Sequence, residues 1–325
     1  MNRRTLITSV AAFTGSLCGL VPVLAQNSSR LIRVLVPLAP GGAVDPYARL
    51  VADQMAKSLG RVVIVEHKPG ANGNVGHQFA AREPADGSLI LVTTQAMTEI
   101  NLSAFRDATW SLDDFIPLIR GVEAPLVLVA HPSVPAKTLD ELVAWVRRNP
   151  GKLSYSSYNV GTPSHFLGFQ FNQRFGLDLV HVPAKGSGFQ ATDLMAGHVL
   201  FGFAQVQSTM QLIQEGKLNA IAVTSAARSR FLPNVPSFAE LGHSEFTSTV
   251  WFGLMVRAGT PPAAVESLLN AAKTAHANPD VRAKLEAQGF DMSGETGPGF
   301  AADIKAQMER WSRLVQASGF KGEGG

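Results

Sequence analysis

Short, uninterrupted apolar runs alternate with helix-period segments along most of this chain, and that alternation is what most restricts its fold. Val62-Val63-Ile64-Val65, Leu89 to Val92 and Leu218–Val223 are apolar at almost every position, so as strands they have no face suited to water. Such strands must be covered on both sides, which predicts an α/β chain whose helices pack over both faces of a parallel sheet. In sheets of that kind, ligands sit beyond the carboxyl ends of the strands.

The helices carry their own start and stop signals. Asp45-Pro46 reads as N-cap and first helical residue of a helix burying Tyr47, Leu50, Val51, Met55 and Leu59, stopped by Gly60. Thr138-Leu139-Asp140-Glu141 has capping-box spacing and opens a helix burying Leu142, Val143 and Val146, ended by Asn149-Pro150-Gly151. Further helices are predicted over Pro163–Phe175 with Gly176 as C-cap, near Phe189–Ala196, and ending near Gly216. The last three cover Pro261–Ala277, Pro279–Gln288 and Pro298–Ser318. Strands are expected around Leu153–Ser157, over Leu177–Val182, His198–Phe203 and Val250–Val256, and the tail Gly322-Glu323-Gly324-Gly325 is expected to be loose.

The first 25 residues read as an export signal. Arg3-Arg4 form a basic start, Leu6 to Leu24 is mostly apolar, and Val23-Leu24-Ala25 offers a small-residue cleavage pattern. Arg3-Arg4-Thr5-Leu6-Ile7 also has a weak likeness to a twin-arginine signal, although an ordinary secretory n-region explains it as well. Cys18 is the only cysteine, so cleavage after about Ala25 leaves an exported, thiol-free chain of about 300 residues. Disulfides and zinc–thiolate sites are then excluded, and the length suffices for two domains with cores of their own.

Removing Arg3 and Arg4 lowers the formal net charge from +3 to about +1, with no basic tract left to follow nucleic acid. No later apolar run reaches the ~18 residues of a membrane helix. The eight histidines (67, 77, 131, 165, 181, 198, 243 and 276) lack metal-ligand spacing and read as surface or capping residues. No cofactor or metal is expected.

Four strand–loop–helix junctions carry the chemistry. The first runs from Val34 through Pro40-Gly41-Gly42 to Arg49, where backbone N–H groups and a helix dipole face one small volume suited to an anion. A plain tight turn accounts for the glycines equally well. The second, Pro69 to Gly76, spaces its glycines G-x-x-G-x-x-G, which is neither the dinucleotide fingerprint nor a Walker A loop.

The third, Ser156 to His165, is rich in hydroxyls and ends on a helix-opening proline. It has no G-x-S-x-G elbow, and His165 reads as a structural hydrogen-bonder at a helix start rather than a base. The fourth, Val182 to Gly188, is either a ligand-facing loop or a glycine turn with a solvated Lys185. Trp251-Phe252 reads as core or hinge.

In this order behind a signal peptide, these junctions resemble the Bug-type family, the substrate-binding receptors of tripartite tricarboxylate transporters. Further matching segments are Val65 to Gly76, Val180 to Gly186, Gly216 to Ser225, Leu232 to Glu240 and Trp251 to Leu254. The resemblance covers essentially the whole mature chain. It implies a bilobed periplasmic binding protein of type II, a Venus flytrap with two parallel-rich α/β domains, and no catalysis. Domain 1 would comprise 26–124 plus 230–325, and domain 2 would comprise 125–229.

The resemblance further implies that backbone amides and hydroxyls hold a small carboxylate between the lobes. Candidate ligand-binding residues are Ala39, Gly41, Gly42, Asp45, Asn74, Thr94 and Gln95 on one side. On the other are Ser157, Tyr158, Gly161, Thr162, His165, Ala184, Lys185, Gly186 and Ala204. Its partners would be membrane permease subunits of such a transporter, or a membrane sensor, with the receptor itself a monomer.

Three departures from the family pattern bear on the ligand. Ala204 stands where relatives often carry an aspartate that can pair with an ammonium, Tyr158-Asn159 adds an aromatic wall, and Ala184 replaces a tyrosine. They favour a carboxylate without an amino group, with an aromatic, extended apolar or dicarboxylic body. The rival from another class is an exported α/β hydrolase using Ser157 or Thr162, which would need a base within hydrogen-bond reach.

Overall fold

The computed structural model describes residues 31–322. The expected leader, Cys18 and the cleavage point lie outside the described residues, as do Glu323, Gly324 and Gly325. The chain order is β1 (Ile32–Val36), α1 (Val44–Leu59), β2 (Val63–His67), α2 (Asn74–Ala80), β3 (Leu89–Thr94), a π-helical turn Ala96–Ile100, and α3 (Asn101–Ala104). There follow β4 (Phe115–Ala130), α4 (Leu139–Arg147), β5 (Leu153–Ser157), α5 (Pro163–Arg174), β6 (Leu179–Pro183), α6 (Ser187–Met195), β7 (Phe201–Gln205), α7 (Val206–Gln214) and β8 (Asn219–Val223). The chain closes with β9 (Thr249–Arg257), α8 (Pro262–Ala277), α9 (Pro279–Ala287), β10 (Asp291–Thr296) and α10 (Gly297–Ser318).

The strands run in the order β2-β1-β3-β9-β4-β7-β5-β6, with β10 and β8 paired to the two halves of β4. β1 lies parallel to β2 and β3, and β5 lies parallel to β6 and β7. Every pairing made by β4 or β9 is antiparallel. The sheet is parallel-rich, as expected, without being parallel throughout. Each lobe of the bilobed α/β fold has a parallel edge, and antiparallel strands join the two.

β4 was not foreseen as a strand at all. Pro117 and Pro125 interrupt its apolar run; the pairing with β9 shifts register at Pro117/Ile119, whereas Pro125 stands in register opposite Thr249, the first residue of β9.

Alternation along the strands divides the core. Val34, Val36, Ile90, Val92 and Phe252 face one cluster with Tyr47, Val51 and Met55 of α1. Leu35, Leu91, Trp251 and Met255 face the opposite cluster with Trp110, Phe300 and Ile304. The capping box at α4 forms as expected, with the Thr138 hydroxyl accepting from Glu141 N–H and the Glu141 carboxylate accepting from Thr138 N–H. α1 begins two residues earlier than expected, with Ala43 as N-cap and Asp45 inside the first turn.

Between the lobes the chain crosses within β4 and again through 224–248. Thr224 ties the crossings together: its Oγ1 accepts from Leu126 N–H at 2.9 Å and donates to Ser248 O at 2.7 Å. The C-terminus is not loose where it is described. Gly322 N–H donates to Ala104 O at 2.8 Å, and the Phe320 ring packs edge-on against Phe105, His165 and Phe166.

Candidate functional site

A cleft of about 170 Å³ opens where the carboxyl ends of the strands face each other. One lobe lines it with Leu38, Gly42, Ala43, Val44, Asn72, Thr94, Ala96, Met97, Val250 and Phe252. The other contributes Tyr158, Asn159, Thr162, Gly186, Ser187 and Gln205. No lining side chain carries a charge. Instead the amino-terminal ends of α1, α5 and α6 reach the cleft through Ala43–Val44, Thr162 and Gly186–Ser187. The first amides of any helix lack an intrahelical acceptor, and aligned peptide dipoles leave partial positive charge there.

The loop before α1 is braced from outside the cleft. Gly41, with φ of +88°, donates its N–H to Asp45 Oδ2 at 3.2 Å. Asp45 Oδ1 meets Arg49 Nε at 2.9 Å and His67 Nε2 at 3.0 Å, and His67 Nδ1 reaches Leu38 O at 2.9 Å. Burial pushes the Asp45 carboxyl up, but the Gly41 amide and Arg49 outweigh it and hold it below its ordinary range. Asp45 and Gly41 therefore shape the loop, Ala39 is exposed beside it, and Gly42 faces the cleft.

The loop before α5 is held from within. Ser157 Oγ donates to Asn159 O at 3.0 Å, and Thr162 Oγ1 donates to the same carbonyl at 2.7 Å. With its only hydrogen spent, Ser157 accepts from His181 Nε2 at 2.7 Å. His165 Nδ1 accepts from Gly161 N–H at 3.2 Å. The His165 and His181 rings stack at 4.0 Å and 9°, with Tyr155 on His181 and Phe166 on His165. Burial lowers the His181 imidazole to about 4, and burial plus neighbouring His181 lowers His165 to about 3.

This arrangement separates lining residues from supports. Gly42, Thr94, Tyr158, Thr162 and Gly186 line the cleft, whereas Ser157, Gly161 and His165 stand behind it as the loop's scaffold. The Tyr158 hydroxyl folds back towards Thr162 and the Ser164 backbone, and burial raises its pKa. Ala184 donates its N–H to Ser157 O at 2.8 Å, and Lys185 is exposed; neither lines the cleft, so Ala184 opens no space in it.

Asn74 is fully buried, its Oδ1 accepting from Asn101 Nδ2 at 3.2 Å and Trp110 Nε1 at 3.0 Å. Its neighbour Asn72, in a left-handed turn at φ +52°, takes the lining position instead. Gln95 is buried behind Thr94, with Nε2 at 3.4 Å from Ser248 Oγ.

Ala204 is likewise corrected. It is fully buried among Val127, Val129, Leu194 and Val223, and the next residue along the strand, Gln205, faces the cleft. Phe252 also reaches the cleft while Trp251 points to the other face. Period-two alternation was the signal available for both. The histidines are not all superficial either: His77 is fully buried between Gly73 O and Thr93 Oγ1, and His276 is buried against Tyr47.

Residues 47–320 match the pattern described as "Tripartite tricarboxylate transporter family receptor". The chain belongs to that family. It is a family of periplasmic solute-binding receptors, not of enzymes.

Protein BugT of Bordetella pertussis is 32% identical, with 99% of each chain covered. Among solved structures, Rpa4515 of R. palustris with adipate is 26% identical at a TM-score of 0.81, covering 90% of this chain and 99% of that one. MatC from Rhodopseudomonas palustris with bound malate is 28% identical at a TM-score of 0.78, covering 88% and 99%. This chain is thus a receptor of that family with the fold of these relatives, and no described helix is long and apolar enough to cross a membrane.

Proposed function

We propose that this protein captures a small carboxylate lacking an amino group between its lobes and delivers it to the membrane subunits of a tripartite tricarboxylate-type transporter. The observation that carries this reading is the convergence of three helix amino termini on a cleft without a charged side chain. Dipoles and hydroxyls can replace the water around a carboxylate there, while an ammonium would face no acidic partner. Asp45, the carboxylate beside the cleft-lining loop, is committed to Gly41, Arg49 and His67.

In this proposal the lobes divide as 26–124 plus 230–325 and 125–229, and the leader is removed after about Ala25. Gly42, Thr94, Asn72, Thr162, Gly186, Ser187 and Gln205 contact the ligand. Leu38, Met97 and Phe252 give it an apolar wall. A site of this volume suits one ring-sized or short-chain body, since an apolar cavity of ~150 Å³ holds a benzene molecule. The bound adipate and malate of the two structural relatives support that size class. Binding drives closure only through the ligand's better fit to the closed form, and no bond is broken.

Native mass spectrometry of the purified protein, followed by calorimetry with adipate, malate, benzoate and glutamate, tests the reading. At least one of the first three should bind with glutamate much weaker. Tight glutamate binding with none of the others would overturn it.

A further inference from the structure

Directly behind the cleft wall lies a carboxyl group that ligand capture by amides and hydroxyls leaves unexplained. Glu99 is only 1% exposed and sits in the π-helical turn Ala96–Ile100, whose first two residues, Ala96 and Met97, line the cleft. Its two oxygens accept from two indoles, Oε1 from Trp251 Nε1 at 2.8 Å and Oε2 from Trp311 Nε1 at 3.1 Å. These come from β9 and α10, so one side chain pins the turn to two other elements.

The charged groups nearby are committed elsewhere. Arg120 on β4 pairs with Glu123, Glu295 and Asp303 and lies over the Trp251 ring. Arg310 on α10 donates to Thr247 O at 2.6 Å and Glu245 O at 2.8 Å. Asp303, also on α10, adds negative potential, and α3 and β3 present no charged side chain. Glu99 is therefore hydrogen-bonded by neutral donors alone. A buried carboxyl in that position is cheaper as the acid than as the anion. Burial accordingly pushes it up to about 8, against the opposing pull of Trp251, Gln95 and Arg120.

The same site touches the hinge. The Gln95 amide lies beside Glu99 and reaches Ser248 Oγ, while Gln95 Oε1 is buried without a donor. Turning that amide over would give a protonated Glu99 an acceptor. Ser248 in turn is bound to Thr224, which clasps the two interlobe crossings.

We infer that Glu99 is a positioning residue for ligand capture, which as the neutral acid locks the Ala96–Ile100 turn and, through Gln95, ties that cleft wall to the hinge at Ser248. Ionising it leaves an anion without a cationic hydrogen-bond partner, and the turn must loosen to let water reach it. This inference rests on the cleft being the ligand site.

The test follows the full mature protein, its Glu99→Gln variant and its Trp311→Phe variant from about pH 6 to about pH 9.5. Hydrogen exchange at 96–101 and indole fluorescence are read without ligand, and adipate affinity is read by calorimetry. Both carboxyls of adipate have lost their protons well before the alkaline side of this range, so a titration there belongs to the protein.

In the wild type, exchange at 96–101 should quicken and fluorescence should titrate on the alkaline side. Adipate affinity should fall by up to about tenfold per pH unit beyond the inflection. Glu99→Gln leaves one indole N–H without an acceptor at every pH, which costs a constant factor, but its profile should be flat. Trp311→Phe removes a donor to the anion and should move the inflection to higher pH. Identical profiles in wild type and Glu99→Gln, or an unmoved inflection in Trp311→Phe, overturn the inference. Failure of all three proteins to bind adipate at any pH counts against the ligand assignment, and the exchange and fluorescence profiles still decide the role of Glu99.

Discussion

Two glycine-bearing loops at the cleft, those before α1 and α5, are built in opposite ways. The loop before α1 lies open: a Cβ placed on Gly41 or Gly42 would meet nothing within 4 Å, and the bracing comes from Asp45 on the helix behind it. The loop before α5 is closed in. Its hydroxyls bond to its own backbone, and a Cβ on Gly161, at φ +67°, would stand 2.8 Å from the Phe105 ring of the other lobe. Glycine supplies backbone freedom at Gly41 and physical room at Gly161. The first loop is therefore a surface a ligand can shape, and the second a preformed cradle against which the other lobe closes.

If that contrast is right, acid should damage the second loop most. His165 and His181, which brace that loop, are held neutral by burial, at about 3 and about 4. The unfolded chain takes up their protons first, near the ordinary value of about 6.5, so stability present above that pH is lost as pH falls towards 3. Urea midpoints should fall steadily between those limits, and exchange at 157–165 should rise before exchange at 40–45. A flat profile across that window would remove the buried-histidine account.

Gly161→Ala comes next. It forces a left-handed alanine and displaces Phe105, at a cost of about 2 kcal/mol in urea unfolding and more than tenfold in carboxylate affinity. Gly42→Val should change the urea midpoint by less than about 0.5 kcal/mol yet weaken binding about tenfold, because its side chain enters only the ligand's volume. Should Gly42→Val unfold the protein while Gly161→Ala leaves it unmoved, the two loops have been assigned the wrong way round. Smallest is Asp45→Asn, which keeps an acceptor for Gly41 N–H but loses the attraction of Arg49 and His67. About a twofold to threefold loss of affinity by calorimetry is expected, with less than ~1 kcal/mol in stability.

The outline of the fold could be read from local pattern because its helices announce themselves. The Thr138–Glu141 box, Pro163 and the α1 apolar face all declare elements without help from distant residues. β4 could not be read that way. Pro117 is accommodated where β9 pairs irregularly and Pro125 where β9 begins, facts that reside in a partner strand more than a hundred residues away.

The site divides similarly. Of the residues that the resemblance singled out, Gly42, Thr94, Tyr158, Thr162 and Gly186 reach the cleft. Selection within a loop depends on which way each side chain points, so Asn72 displaces Asn74 and Gln205 displaces Ala204. Asn74 goes inward because Asn101 and Trp110 bind its oxygen, a pairing no spacing rule supplies.

The sharing of β4 by both sheets also governs how the halves can move. Sixteen residues of continuous backbone, hydrogen-bonded first to β9 and β10 and then to β7 and β8, behave more like a leaf spring than a loose joint. A spring of that type flexes and twists about one direction and resists sideways slip. Each opening would then return the three helix ends to the same mutual aim, so recognition would not have to be rebuilt at every cycle.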